Sequence, residues 1–144
     1  MKFSHLFVSL LCLSSMTACA SKREPTQKSL FPPNVRIYRS PVKEVWKAVT
    51  DTVQFDFLMP FEVKDEKAGR FSTEVVRDYQ PYQKNKFRIS GTLVFDGTGV
   101  VVTLYKHQQV EQNGEWVTVA SDLMLEDKIL TMVAKKLQLK NQPK

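Results

Sequence analysis

The chain has 144 residues, of which 42% are hydrophobic and 25% charged, and its formal net charge is +6 at pH 7. A chain of this length suits one domain that buries about two-thirds of its unfolded surface, so folding requires neither a disulfide nor a metal. Both cysteines, Cys12 and Cys19, lie in the N-terminal segment and leave the rest of the chain without a thiol. The basic surplus is spread thinly, which is typical of a solvated surface; contact with anionic lipid or lipopolysaccharide is the alternative.

An apolar segment begins the chain. Lys2 precedes an apolar run at 3–13, which is shorter than the ~20 residues of a transmembrane helix and typical of a signal peptide. The run continues into LSSMTAC at 13–19, which resembles the lipobox of bacterial lipoproteins. In that motif a peptidase cuts before the cysteine, and the sulfur carries a diacylglycerol. We therefore expect a signal peptide at 1–18 and a lipidated Cys19.

The residues that follow indicate where the protein is located. Ala20 occupies the position at which an aspartate retains lipoproteins at the inner membrane, so we expect an outer-membrane lipoprotein that faces the periplasm and has no nucleic-acid partner. The alternative is a soluble secreted protein cut after Ala18 or Ala20. Residues 19–33 are rich in Ser, Lys, Pro and Gln, a composition typical of a flexible tether.

The domain is predicted to begin with a strand at 35–38 and a helix opened by Ser40 and Pro41. Ser40 is a favoured cap, and Pro41 suits the first helical position because its missing N–H is not needed there. Apolar residues then recur at helical spacing and predict one buried face. Its members are Val42, Val45, Trp46, Val49 and Val53. We interpret Trp46 as a core residue; a ligand-stacking role is the minority alternative.

Strand patterns fill the middle of the chain. We predict strands at 57–63, 71–76, 87–95, 100–110 and 116–119, and a polar loop at 78–86. Pro60 removes a backbone donor and predicts an edge strand or a bulge. Phe87, Ile89, Leu93 and Phe95 are predicted to share one face of their strand. The dipeptide at 113–114, Asn-Gly, is the strongest hairpin signal, because both residues tolerate positive φ.

A second helix starting at Ser121 or Asp122 is predicted to close the domain. Its apolar face is wider than one sheet contact needs, and Met132 and Leu139 are therefore candidate partner-binding residues. The fold class is α+β: an antiparallel β-sheet of about five strands packed against two α-helices. This domain spans 34–140, and 141–144 form a tail.

Catalytic patterns are weak. Beyond the signal segment His107 is the single histidine, and its polar surroundings offer no recognisable nucleophile and carboxylate set. One histidine and no thiol make a zinc site improbable, and no glycine-rich phosphate loop is present. Asp51, Asp56, Glu62 and Glu74 are candidates for paired-carboxylate chemistry by residue type alone. We therefore expect no enzymatic activity, no cofactor and no small-molecule substrate.

An ordered set of short motifs resembles the helix-grip domain of BamC and BamC-like outer-membrane lipoproteins. SPVKEVW at 40–46 precedes a helix, AGRFSTE at 68–74 follows an acidic turn, and KFRI at 86–89 begins a long hairpin. Trp116 then precedes a leucine-rich helix. The resemblance covers residues 35–139 and implies an antiparallel sheet that grips a long helix. BamC has two such domains and a long N-terminal segment, whereas this chain has room for one domain.

The leading hypothesis for function is a membrane-anchored, non-enzymatic interaction module. Its partners would be other envelope proteins, including components that assemble outer-membrane β-barrels, and the resemblance to BamC implies this role. A carrier of lipid or small apolar ligands is the second hypothesis, because helix-grip folds can open a cavity between sheet and helix. The large side chains predicted for this space argue that it is filled. A structural subunit of a secretion apparatus is the third.

Overall fold

A computed structural model describes residues 31–80 and 83–140. The predicted signal peptide, Cys19 and the predicted tether up to residue 30 lie outside these residues, as does the predicted tail at 141–144. The described chain is an antiparallel sheet of seven strands packed against two helices. This confirms the predicted α+β class, with more strands than expected.

The elements follow one another in a simple order. The chain forms β1 (Val35–Tyr38), α1 (Val42–Asp51), β2 (Phe61–Asp65), β3 (Arg70–Thr73), β4 (Val76–Gln80), β5 (Gln83–Phe95), β6 (Val100–Gln112), β7 (Glu115–Val119) and α2 (Met124–Lys140). A π-helical segment, Thr52–Asp56, extends α1.

The two long strands β5 and β6 form a hairpin that belongs to two different parts of the sheet. Near its turn, β5 pairs with β3 and β6 pairs with β1. Toward its other end, β5 pairs with β4 and β6 pairs with β7. We call the first part, with both helices, the helix-covered half. The second part is the sheet extension, consisting of β4, β7, residues 83–88 of β5 and residues 107–112 of β6.

The hydrophobic core lies in the helix-covered half. Trp46 is buried and contacts the edge of the Phe71 ring, with 6.3 Å between ring centroids. Ile89, Val102 and Leu104 meet the helices from the sheet, and Ile129, Leu130 and Val133 meet it from α2. Trp46 is thus the core residue that was predicted.

Gly91 in β5 is closely surrounded by core side chains. A Cβ atom there would lie 2.4 Å from the Phe71 ring and 2.9 Å from Cδ2 of Leu104. No side chain fits at that distance, so glycine is required by its neighbours. The interior between sheet and helices is filled at this point.

The start of α1 differs from the prediction. Pro41 is the N-cap rather than the first helical residue, and its carbonyl accepts hydrogen bonds from the N–H groups of Glu44 and Val45. No side chain caps the helix, so Ser40 does not act as predicted. Val42 is exposed rather than buried, although Val45 in the same first turn is fully buried.

Two strand predictions are also corrected. The strand expected at 57–63 begins at Phe61, because the π-helical segment continues the helix to Asp56. It is an edge strand with a register shift between Phe61 and Val63, as Pro60 indicated. The polar loop expected at 78–86 is mostly strand, since β4 and β5 cover all but residues 81–82.

Phe95 is a smaller correction. It was expected on the buried face of β5 with Ile89 and Leu93, but it is exposed. The strand ends at this residue and its pairing partner is Val100, immediately across the hairpin turn. Val100 itself is fully buried, so strand alternation alone did not predict the exposure of Phe95.

Turn and cap chemistry explains the remaining boundaries. Asn113 and Gly114 have φ of 53° and 87°, which confirms the predicted hairpin turn. Before α2, the Ser121 hydroxyl accepts the N–H of Leu123 at 3.0 Å, and an Asp122 carboxylate oxygen accepts the N–H of Met124 at 3.2 Å. Ser121 and Asp122, the two residues predicted to start the helix, therefore accept hydrogen bonds from backbone N–H groups at its N-terminal end.

Candidate functional site

The sheet extension brings polar side chains together in rows. Arg77, Lys86, Gln109 and Thr118 lie opposite one another across β4, β5, β6 and β7. Opposite residues share a face of a sheet and successive residues alternate. Because Ile89 is buried against the helices, Lys86 and Arg88 lie on the other face. His107 pairs with Arg88 and belongs to that same outer face.

A pocket of about 560 Å³ lies at this position. Its lining includes the complete row from Arg77 to Thr118 and the neighbouring pair Arg88 and His107. Val75 adds apolar surface on this face, whereas Phe87 and Val119 also line the pocket but have their side chains on the helix face by strand alternation. The volume falls within the range of about 300–1,000 Å³ that is usual for small-ligand sites.

The charge around this pocket has one sign. Arg77, Lys86, Arg88 and Lys106 line it together with His107, and no aspartate or glutamate is among its lining residues. Lys106 lies on the helix face by strand alternation, so the outer-face cations are the other three. The sequence pattern showed lysines and an arginine near the start of β5, whereas the contribution of Arg77 depends on the unpredicted strand β4.

These cations have weak partners in the described chain. Arg88 lies 3.5 Å from a carboxylate oxygen of Glu62, and both side chains are about half exposed, so the pair contributes little stability. The ammonium of Lys86 lies 4.2 Å from the centroid of the Trp116 ring, a cation–π contact. Arg77 has no ion-pair partner among the residues described.

His107 has a neighbour that the sequence did not reveal. Its Nε2 atom lies 2.8 Å from the Ser90 hydroxyl, a diagonal contact between β5 and β6. The two are 17 positions apart, so only the strand register could have shown the pair. No carboxylate bonds the other imidazole nitrogen within the described chain, and Arg88 lies directly opposite on β5. The pair therefore lacks the carboxylate that orients histidine in a Ser-His-Asp triad.

Glu126 joins the extension to α2. Its side chain is buried in the first turn of the helix. One carboxylate oxygen accepts the backbone N–H of Lys106 at 2.9 Å, and the other accepts the Ser121 hydroxyl at 3.1 Å. The pairing of β7 with β6 ends at Gln108, so β7 offers no carbonyl to the N–H of Lys106. The Glu126 carboxylate accepts this N–H instead.

The β7 strand is an exposed edge of the sheet. Among the described strands it pairs with β6 alone. Trp116 and Val117 are 38% and 39% exposed, and Glu115 is the only charged residue of the strand. The edge strand β2 has three charged residues and a register shift, and β4 has two charged residues. Because charges and bulges protect edges from pairing, β7 is the least protected of these three.

The other candidate residues are dispersed. Leu139 is 68% exposed near the C-terminal end of α2, and Met132 is partly buried on the same helix. Of the four acidic candidates, Glu62 contacts Arg88, Asp51 pairs with Lys47 at 2.5 Å, and Asp56 pairs with Lys136. Asp51 pairs within α1, whereas Glu62 and Asp56 pair with residues of β5 and α2, so no two of these three form a carboxylate pair. Cys19 lies outside the described residues.

Residues 31–80 and 83–140 contain no group of three or more His, Cys, Asp or Glu side chains arranged to hold a metal ion. None of their helices combines the length and apolar character needed to cross a membrane. Comparison of the chain with protein-family models and with curated proteins found no match.

Proposed function

We propose that this protein is a lipid-anchored, non-enzymatic interaction module of the bacterial envelope, in which β7 binds an extended segment of another envelope protein. The observation that carries the proposal is the exposed β7 edge with Trp116 and Val117 on it. An open edge offers a row of backbone donors and acceptors, and a partner strand can pair with it. Alternating side chains beside the edge then provide specificity.

The anchor rests on the sequence. The lipobox-like residues 13–19 and the tether that follows support attachment through Cys19 to the outer membrane, on its periplasmic side. A tether of 14 or 15 residues reaches at most about 50 Å when extended. The domain would then meet partners close to the membrane, which is where outer-membrane β-barrel proteins are assembled. The resemblance to BamC-like lipoproteins supports the same accessory role.

The carrier hypothesis receives less support. It requires a cavity between α2 and the sheet, but Gly91 is confined there by Phe71 and Leu104 at distances that admit no further atom. Ile129, Leu130 and Val133 of α2 are fully buried in the same region. An apolar ligand would have to displace this packing, which costs several kcal/mol for each large side chain.

A photo-crosslinking experiment tests the proposed edge. Benzoylphenylalanine is placed at Val117 on β7, at Leu139 on α2 and at Val42 on α1, three exposed positions, and cells are irradiated. We expect a discrete crosslinked partner from Val117 and none from Val42. A partner captured from Leu139 alone would instead support the α2 hypothesis, and equal labelling from all three positions would contradict a specific edge.

A second experiment tests the anchor independently. Cys19→Ser removes the acylated sulfur, so we expect the protein to move from the membrane pellet to the soluble periplasmic fraction. Mass spectrometry of the wild-type N-terminus should show a diacylglycerol on Cys19. A mutant that remains in the membrane, together with an unmodified wild-type N-terminus, would contradict lipid anchoring while leaving the β7 proposal open.

A further inference from the structure

We propose that the pocket on the outer face of the sheet extension binds a phosphate-bearing ligand. Its cationic set is Arg77, Lys86 and Arg88, presented by two neighbouring strands. This proposal concerns a ligand site distinct from the β7 edge, and it does not depend on the nature of a protein partner.

The arrangement of the cations favours an anion with several oxygens. Arg77 and Lys86 are directly opposite each other on β4 and β5, and Arg88 is two residues along β5 from Lys86. The three cations therefore lie at different points of the pocket and can contact different oxygens of one anion. Arginine presents a planar fork of donors that matches phosphate oxygens, and lysine adds a point charge. A phosphate group has more charge and more acceptor oxygens than a carboxylate, so it can engage all three.

Nothing inside the pocket neutralises these charges. Its lining residues include no carboxylate, and the nearest contact is Glu62, 3.5 Å from Arg88. Glu62 relieves the repulsion between the cations only in part, and an anion reduces it further on binding. Gln109 and Thr118 are polar and already joined at 3.3 Å, and the Ser90–His107 pair borders the same surface.

The size and lining of the pocket indicate a ligand larger than inorganic phosphate. A volume of about 560 Å³ accommodates an organic group beside the anion. Val75 provides apolar lining next to the basic row. A phosphomonoester such as the headgroup of an anionic lipid has both parts, and a free phosphate has only one.

Titrations of the full chain in detergent, followed by amide NMR, test the site. The probes are inorganic phosphate, dihexanoyl phosphatidic acid and dihexanoyl phosphatidylcholine, which bears no net negative charge. We expect saturable shifts centred on Arg77, Lys86 and Arg88, with phosphatidic acid binding most tightly. If inorganic phosphate binds as tightly as phosphatidic acid, the site is still a phosphate site, but its ligand is free phosphate rather than a lipid headgroup.

A matched pair of double variants provides the control. R77Q/K86Q removes two charges from the pocket, whereas K43Q/K67Q removes two exposed charges from α1 and the β2–β3 turn. We expect about tenfold weaker binding for the first and no change for the second. Equal weakening in both would show non-specific attraction and overturn the proposal. Non-saturable shifts, or tighter binding of polyglutamate than of either phosphate compound, would also overturn it.

Discussion

The helix-covered half and the sheet extension share β5 and β6 but differ in what protects them from water. In the first, α1 and α2 bury Ile89, Val102 and Leu104 on one face of the sheet. In the second, only Val110 is buried among the side chains that the structure describes. Burial of apolar surface is the main stabilising contribution. The helix-covered half therefore stabilises the fold, and the extension is free to carry exposed and charged residues.

The two tryptophans provide the largest contrast. Trp46 is 5% exposed in the core, whereas Trp116 is 38% exposed on the extension. We expect Trp46→Ala to lower the free energy of unfolding by ~3–5 kcal/mol and Trp116→Ala to lower it by about 1 kcal/mol or less. Urea denaturation of both variants measures the difference. Equal losses would show that the extension is as important to stability as the core.

Glu126 tests the junction between the two regions. Glu126→Ala leaves the backbone N–H of Lys106 without its acceptor in a buried position. We expect a loss of ~1–3 kcal/mol in the free energy of unfolding. Glu126→Gln keeps an acceptor oxygen of the same shape and should lose less than half as much. If glutamine and alanine cost the same, the charge rather than the hydrogen bond is what matters.

Tyr38 gives the helix-covered half a dependence on alkaline pH. Burial raises the pKa of its phenol well above the ordinary value, and its hydroxyl donates to the Leu130 carbonyl at 2.7 Å. Below about pH 10 the phenol is neutral in both states and its contribution is complete. As pH rises further, Tyr38 loses its proton first in the unfolded chain. The free energy of unfolding therefore decreases with rising pH until the pH reaches the higher pKa of the folded state.

The corresponding experiment compares wild type with Tyr38→Phe at pH 8 and pH 10.5. We expect the variant to lose about 1 kcal/mol at pH 8, because a buried hydrogen bond is removed, and to show a smaller decrease between the two pH values. An identical decrease in both proteins would mean that Tyr38 does not cause the alkaline effect.

The smallest effect is expected at the β5–β6 turn. Hydrogen bonds from the backbone N–H of Thr98, its hydroxyl and the backbone N–H of Gly99 lower the pKa of Asp96. A depressed pKa stabilises the fold above the unfolded pKa of about 4, and this stability is lost as pH falls through the folded value. Asp96→Asn should therefore reduce the difference in urea midpoint between pH 7 and pH 3. NMR titration of the wild-type carboxyl group provides the direct check, and an ordinary pKa would contradict it.

The sequence predicted the helix-covered half better than the extension, for a physical reason. Trp46, Val49 and Val53 follow a helical period because the core selects apolar residues at that spacing. Asn113 and Gly114 are equally predictable because the turn requires positive φ. In the extension only a few side chains, such as Val76 and Phe87, pack against the core, so β4 has no clear apolar period and was mistaken for a polar loop. Its pocket depends on the register of four strands, and neither Arg77 opposite Lys86 nor Ser90 beside His107 could be placed without that register.

Blocking the edge of β7 with a lysine tests most directly whether the extension binds while the helix-covered half maintains the fold. Val117→Lys places an edge-protecting charge on β7, and Val42→Lys places one on an exposed position of α1. Thermal unfolding and co-purification of the crosslinked partner are measured for both. We predict melting temperatures within a few degrees of wild type and loss of the partner from Val117→Lys alone. A folded Val117→Lys protein that retains its partner would contradict binding at the β7 edge. An equal loss of the partner from Val42→Lys would contradict it as well.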